Sequence, residues 1–380
     1  MRYFVSTPIG VERFAASELR DLGASSIEVG RGRVFFEAGE DFIYLGNFML
    51  RTVNRLHILL GRYRFSTLND IGEFADSIDY RPYILPNQTF AVRAERVGNH
   101  DFTSVNVGRV VGESVINSYI KDRGVRLKVD LRNPDVVFRA YVINDEFVLG
   151  VDTTGIALDK RGYRRYNHPA AIKSTLAAAL AMLAGLSPGW EGVVLDPLCG
   201  GGTVVAEAAH RILNYPLPLF RLDYAFRKLP LHNREAEGDV LTRLLSGVVA
   251  SEPSLICVDV SRKHLEGAEL NLTHALVREY VHVVRGDSTD VRTLSSLPDV
   301  DVIVTNPPYG IRSHSLKRIG GFYRSLLHAL RDRFGGVRVA LITASWKQLR
   351  EAALEEGFRV VEELPVLHGG LWTRMFLLSG

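Results

Sequence analysis

Cysteine is almost absent: Cys199 and Cys257 are the only two in 380 residues. Two cysteines cannot build a disulfide framework or a cysteine zinc site, and they point to a reducing cytoplasm. Long apolar runs are missing as well. The least polar stretch, Thr175 to Leu186, is about twelve residues and too short to span a bilayer. The start, Met1 to Pro8, holds no apolar core or cleavage site, so no secretory signal is expected. Nor is there an excess of one charge. With 46 basic and 43 acidic residues the net charge is +3, which argues neither for nor against a polyanionic partner. Lysine and glutamine are scarce: eight lysines stand against 38 arginines, and Gln88 and Gln348 are the only glutamines. Arginine suits bidentate contact with phosphates and bases. A GC-rich genome or a hot habitat produces the same bias.

What is present describes a folded, multidomain chain. The composition is 46% hydrophobic and 23% charged, ordinary for a globular protein. At about 100–200 residues per domain, the length allows two or three domains. The first sixty residues read as a small α/β unit, with strands at Tyr3 to Ser6 and Arg33 to Glu37 and a helix over Gly10 to Leu22. Phe42 to Leu50 and Val53 to Leu60 add apolar, partly helical material. A second unit, 61–155, has strands at Thr89 to Ala94, Arg126 to Val129, Val136 to Ile143 and Phe147 to Val151, and a helix over Asn106 to Lys121. Residues 156–170 read as a linker, and from 171 to 380 strands alternate with helices, the pattern of a parallel sheet.

The linker carries the one clear charge run. Lys160, Arg161, Arg164, Arg165 and Lys173 are followed by no carboxylate until Glu191. Such a run is either a solvated connection with incidental charge or a basic strip, interleaved with Tyr163 and Tyr166, that faces a polyanion.

Val193 to Asp196 reads as a buried strand, followed by Pro197-Leu198-Cys199-Gly200-Gly201-Gly202-Thr203 and a helix. Glycines admit positive φ and close approach of a ligand, and the helix start supplies free N–H groups. Thr203 is a candidate N-cap. An ordinary βα turn would look similar. No lysine follows the glycines, and Asp196 would repel a pyrophosphate; it suits a cationic ligand end such as an aminoacyl ammonium. Asp259, at the tip of the next strand, is placed for ribose hydroxyls. Its distance in sequence from the glycines implies an insertion, and Asn214 to Pro253 fits one. Asp287, ending the third strand, is placed for an adenine amino group.

After the strand Asp301 to Thr305 comes Asn306-Pro307-Pro308-Tyr309-Gly310. The two prolines fix the chain and remove two N–H donors. The Asn306 side-chain oxygen and the Pro307 carbonyl are left as acceptors able to hold an exocyclic amine, with Tyr309 offering a face for a base. Here the sequence resembles the S-adenosylmethionine-dependent amino-group methyltransferases: Asp-Pro-x-Cys-Gly-x-Gly-Thr, then Thr-Asn-Pro-Pro-Tyr-Gly after strand four. Gly201 stands where many members have serine. The resemblance implies S-adenosylmethionine as cofactor, held by His168, Pro169, Asp196, Pro197, Cys199, Gly200, Gly202, Thr203, Asp259, Val260, Asp287, Ser288 and Asn306. It implies Asn306, Pro307, Pro308 and Tyr309 as the catalytic set, and no metal.

The front half resembles the THUMP domain in Phe90 to Arg96, Val129 to Asp135 and Gly150 to Gly155. The match continues through Leu158 to Arg164 and His168-Pro169-Ala170. Residues 1–60 resemble its ferredoxin-like partner more loosely. Together these features are similar to the THUMP-containing RNA guanine-N2 methyltransferases, and among them to the type acting on position six of the tRNA acceptor stem. The implied architecture is α/β multidomain. A ferredoxin-like plus THUMP α+β unit is expected to precede a Rossmann-like class I methyltransferase with a seven-stranded, mostly parallel sheet. The implied partner is tRNA, met by Lys160, Arg161, Arg164, Arg165 and Arg312, with no membrane and a monomeric, cytoplasmic protein. Position ten of tRNA, ribosomal RNA and adenine N6 are alternative targets, and an RNA-binding module with an inactive catalytic half is the non-enzymatic one.

Overall fold

The computed structural model of the chain describes residues 1–310 and 316–380. Its first sheet is built from β1 (Arg2–Ser6), α1 (Glu12–Asp21), β2 (Ser25–Gly30), β3 (Arg33–Glu37), α2 (Phe42–Met49) and β4 (Arg55–Arg64). It continues with α3 (Leu68–Asp76), β5 (Thr89–Val97), α4 (Ser104–Arg123), β6 (Lys128–Val129), β7 (Val136–Ile143) and β8 (Glu146–Asp152). The eight strands lie in the order β2-β3-β1-β4-β8-β7-β5-β6.

Two expectations change here. Val53 to Leu60 contributes to β4, a strand and not helical material; it pairs antiparallel with β1 on one side and β8 on the other. A short apolar run has no periodicity to separate these states, and pairing on both edges decides for the strand. A boundary at residue 60 also runs through β4. The ferredoxin-like and THUMP halves therefore share one sheet and one core, from Tyr3 and Val5 to Phe138 and Val151.

The second sheet follows from α5 (Ser174–Leu183), β9 (Val193–Asp196), α6 (Thr203–Ile212), α7 (Arg234–Ser246), β10 (Ser254–Asp259), α8 (Arg262–His274) and β11 (Val281–Arg285). Then come α9 (Val291–Ser295), β12 (Val302–Thr305), α10 (Leu316–Phe334), β13 (Arg338–Thr343), α11 (Trp346–Glu355), β14 (Arg359–His368) and β15 (Leu371–Ser379). Strand order is β11-β10-β9-β12-β13-β15-β14, and β15 alone runs antiparallel to the other six. β9 has β10 on one side and β12 on the other, so the crevice at the carboxyl ends of these strands is where such sheets bind ligands.

The segment between α6 and β10 is the expected insertion, and it packs away from the sheet. Tyr224, Phe226, Leu229 and Val240 enter the core of the N-terminal unit. Phe226 meets Tyr44 edge-on at 5.1 Å, and the Asn233 amide donates to the Tyr44 hydroxyl at 2.7 Å.

The connecting segment is not a solvated strip throughout. Arg161 is 5% exposed and donates to both oxygens of Glu207 on α6. This overturns its assignment to RNA: a guanidinium enclosed by a carboxylate and carbonyl oxygens has no face for a phosphate. Lys160 and Arg165 are exposed and Arg164 is half-buried, while Arg312 lies outside the described residues. Among the described residues no helix is long and apolar enough to cross a membrane.

Candidate active site

Asp196 ends β9 as a fully buried residue. Its Oδ1 accepts from the Thr305 hydroxyl at 2.7 Å and from the Leu198 amide at 3.2 Å. Among the described residues no protein donor reaches Oδ2. Burial pushes the carboxyl up to about 7, against the lowering effect of the Thr305 hydrogen bond. A buried, half-satisfied carboxylate of this kind can accept a cationic ligand group at its free oxygen.

The glycine loop follows. Gly200 and Gly202 have φ of +50° and +75°, the left-handed region open to glycine. Gly202, not Thr203, is the N-cap of α6, and Thr203 is buried as the first helical residue with no capping bond. A left-handed residue at the entry leaves the threonine hydroxyl out of reach of the capping position.

Asp259 ends β10 one strand away. Its Oδ2 accepts from the Gly200 amide at 3.1 Å and its Oδ1 from the Ser261 amide at 2.8 Å, which locks the carboxylate at the rim with lone pairs to spare. Val260 beside it is 58% exposed, an apolar face on the same rim. Asp287 is exposed and caps its own turn through Thr289. Ser288 is buried and donates to the Pro197 carbonyl at 2.6 Å, so it positions the glycine loop from behind.

His168 stands against Gly200, where an added Cβ would lie 3.4 Å from the ring, and its Nε2 is 3.3 Å from His264 Nδ1. Burial, then the neighbouring His264, holds His168 below the ordinary histidine range. Pro169 follows, exposed. The hub of this corner is Asn271 on α8, which the sequence reading passed over. Its Oδ1 accepts from the Arg165 and Tyr166 amides, both at 2.8 Å, and its Nδ2 donates to the Tyr166 and Gly201 carbonyls. An asparagine among Leu265, Ala268 and Leu272 on an otherwise apolar helix face was the signal for it.

Cys199 and Cys257, read from the sequence as marks of a reducing compartment, are joined in a disulfide. Cys257 lies in register with Asp196 on the adjacent parallel strand, which brings the two Cα atoms to 5.4 Å. The bond ties the glycine loop to the middle of β10.

β12 delivers Asn306 next to this crevice. Nδ2 donates to the Ala170 carbonyl at 3.3 Å, which turns Oδ1 towards the Tyr309 hydroxyl at 2.8 Å. The loop is braced from outside by residues the sequence did not single out. Tyr323 donates to the Pro308 carbonyl at 2.7 Å, and Ser345 to the Tyr309 carbonyl at 2.6 Å. Among the described residues no donor reaches the Pro307 carbonyl. Asn306 Oδ1 and Pro307 O are thus the acceptors at this point, with one of them covered by Tyr309. His368, from the β14–β15 hairpin, approaches the same tyrosine: Nδ1 is 3.5 Å from the hydroxyl. Burial and nearby Lys173 lower this histidine.

The basic residues outside the site cluster elsewhere. Arg93, Arg126, Lys128 and Arg132 are exposed around the edge strand β6, far along the chain from the catalytic loop.

Comparison with known proteins agrees with this layout. Residues 2–57 match the RlmL ferredoxin-like domain, 65–152 the THUMP domain and 161–374 the RMKL-like methyltransferase domain. The chain is 37% identical to a tRNA (guanine(6)-N2)-methyltransferase of Methanocaldococcus jannaschii, covering 100% of both. It is 35% identical to a protein of the same name from Archaeoglobus fulgidus, over 99% of this chain and 92% of that one. The crystal structure of a possible methylase from Clostridium difficile superposes with a TM-score of 0.89 at 26% identity, over 100% and 98% of the two chains. The chain therefore belongs to the family of enzymes that join a ferredoxin-like and THUMP front to an RMKL-like methyltransferase domain.

Proposed function

We propose that this protein transfers a methyl group from S-adenosylmethionine to the N2 amine of guanosine at position six of the tRNA acceptor stem. The observation that carries the reading is the acceptor pair, Asn306 Oδ1 and Pro307 O, set beside the half-satisfied carboxylate of Asp196. The archaeal relatives' shared name supports the choice of RNA, base and position.

The residues fit the donor. Asp196 Oδ2 would hold its ammonium and Asp259 its ribose hydroxyls, and Val260 and Asp287 would line the adenine side. When bound, S-adenosylmethionine supplies an electrophilic methyl group. Asn306 Oδ1 and Pro307 O accept the two amine hydrogens, which directs the nitrogen lone pair along the line of transfer. The nitrogen–carbon bond forms as the carbon–sulfur bond breaks, and the extra proton leaves to water. Paired inside a stem, the guanine is reached only by flipping or local opening. The basic residues around β6 anchor the RNA through phosphates, and Lys160, Arg165 and Arg164 hold the strand nearer the site.

The test is nucleoside mass analysis of tRNA transcript incubated with enzyme and donor. N2-methylguanosine mapped to position six is expected; methyl on adenine N6, or on a ribosomal fragment only, overturns the reading. Asn306→Ala is expected to cut turnover by about 10²–10³ with tRNA affinity largely kept.

A further inference from the structure

β15 runs antiparallel to β13, with Arg374 opposite Thr343, the last residue of that strand. Leu371, Trp372 and Thr373 therefore project past the carboxyl edge of the sheet, onto the side where Asn306 and Tyr309 lie. Strand alternation puts Trp372 on the same face as Arg374, Phe376 and Leu378. Lower down, that face is covered: Phe376 and Leu378 are buried under α10 and α11. α11 begins only at Trp346, and among the described residues nothing continues the cover over Trp372, which is 51% exposed.

Two positions along the same strand face, Arg374 opens a basic cluster that is held in place around Trp346. The Arg374 guanidinium lies 4.0 Å over the Trp346 ring, with Arg350 at 5.3 Å and the Lys347 ammonium at 5.4 Å. Glu363 pairs with both arginines, and among the described residues Lys347 has no carboxylate partner. A large exposed aromatic beside ordered guanidinium groups is a stacking surface for a base with phosphate contacts alongside. Across the hairpin Trp372 is paired with Leu367, and along its own strand the next residue of the row is Arg374, so the indole has an apolar neighbour on one side and a cation on the other, as a base with its phosphate requires. The hairpin is tied to the catalytic loop by His368 to Tyr309 on its other face, and the start of α11 by Ser345 to the Tyr309 carbonyl.

We propose that Trp372, with Arg374 and Lys347, forms a stacking platform for a nucleotide of the substrate RNA next to the flipped target. This rests on the reading that RNA is the substrate. The platform fixes the strand as it leaves the active site, so the target base arrives without freedom to slide.

The experiment compares wild type, Trp372→Ala and Trp372→Phe for tRNA affinity, turnover and donor affinity. Trp372→Ala is expected to weaken RNA binding and raise KM about tenfold, the order of one base–aromatic stack. Donor affinity stays unchanged, and Trp372→Phe restores most of the loss. Unchanged KM and RNA affinity in Trp372→Ala, beside an active wild type, overturn the platform and leave the proposed function standing. A changed oligomeric state in Trp372→Ala, with RNA affinity kept, overturns it in favour of a contact between copies of the chain. A wild type that methylates no tRNA guanosine overturns the underlying reading itself.

Discussion

Arg161 and Glu207 meet at 3.0 Å, both buried, where the connecting segment crosses from the first sheet to the second. Tyr163 donates to the same carboxylate at 2.7 Å, and Arg51 from the N-terminal unit stands 3.5 Å away. Burial works to raise the Glu207 carboxyl, but Arg161 and Arg51 outweigh it and hold it below its ordinary range. One ion cluster thus bonds three parts of the chain into a fixed spacing between the THUMP half and the methyl-transfer site.

Removing one member leaves the others charged and unpaired in a dry site. Arg161→Ala is expected to cost about 3–5 kcal/mol of unfolding free energy, read by chemical denaturation. Arg165→Ala, four residues on and exposed, is expected to change stability by less than about 0.5 kcal/mol. It should instead lower the salt slope of RNA binding by about one. Equal stabilities for the two variants would contradict the buried assignment.

Asp196 sets a pH dependence. Its carboxyl titrates near 3.8 when unfolded and about 7 in the folded protein, so the fold binds this proton more tightly. This group's contribution to stability is greatest below 3.8 and is lost as pH rises towards 7. Donor binding runs the other way, because only the carboxylate attracts an ammonium. Calorimetry is expected to show donor affinity rising with pH through about 7, and Asp196→Asn should bind weakly with that rise gone. A flat profile in the wild type would remove the ammonium from Asp196.

The chemistry was readable because each motif is contiguous: strand, acid, glycines and helix, or strand, Asn306 and two prolines. Its supports were not. Glu207 lies 46 residues from Arg161, and a run of cations reads as solvated until its partner is found. Tyr323, Ser345 and His368 reach the catalytic loop from elements that no local pattern connects to it. β2 is largely exposed on both faces and carries no alternation to detect. α3 did carry a mark, the reciprocal Thr67–Asp70 cap, of the kind that announces a helix start.

Tyr309 covers Asn306 Oδ1, the acceptor proposed to hold the substrate amine. Its hydroxyl donates to Asn306 Oδ1 at 2.8 Å, and burial keeps it protonated well above its ordinary value. On that reading the incoming amine competes with this bond for Oδ1. Tyr309→Phe is expected to keep turnover within a few-fold and to lower KM, since the ring remains and the competing donor is gone. Tyr309→Ala should raise KM roughly tenfold through lost stacking. Turnover abolished in Tyr309→Phe would mean that the hydroxyl acts on the reacting amine and the competition is irrelevant.

The Cys199–Cys257 bond closes a separation of 58 residues that contains the whole inserted segment. Constraining so long a loop in the unfolded chain stabilises the fold by about 2–4 kcal/mol. Denaturation with and without reductant is expected to show that difference, and thiol titration of the unfolded, unreduced protein to find no free cysteine. Because Cys199 sits in the glycine loop, Cys257→Ser should also weaken donor binding while leaving tRNA affinity in place. Two titratable thiols in the native preparation would show the pair unbonded, and the glycine loop would then be held by Ser288 and Asn271 alone.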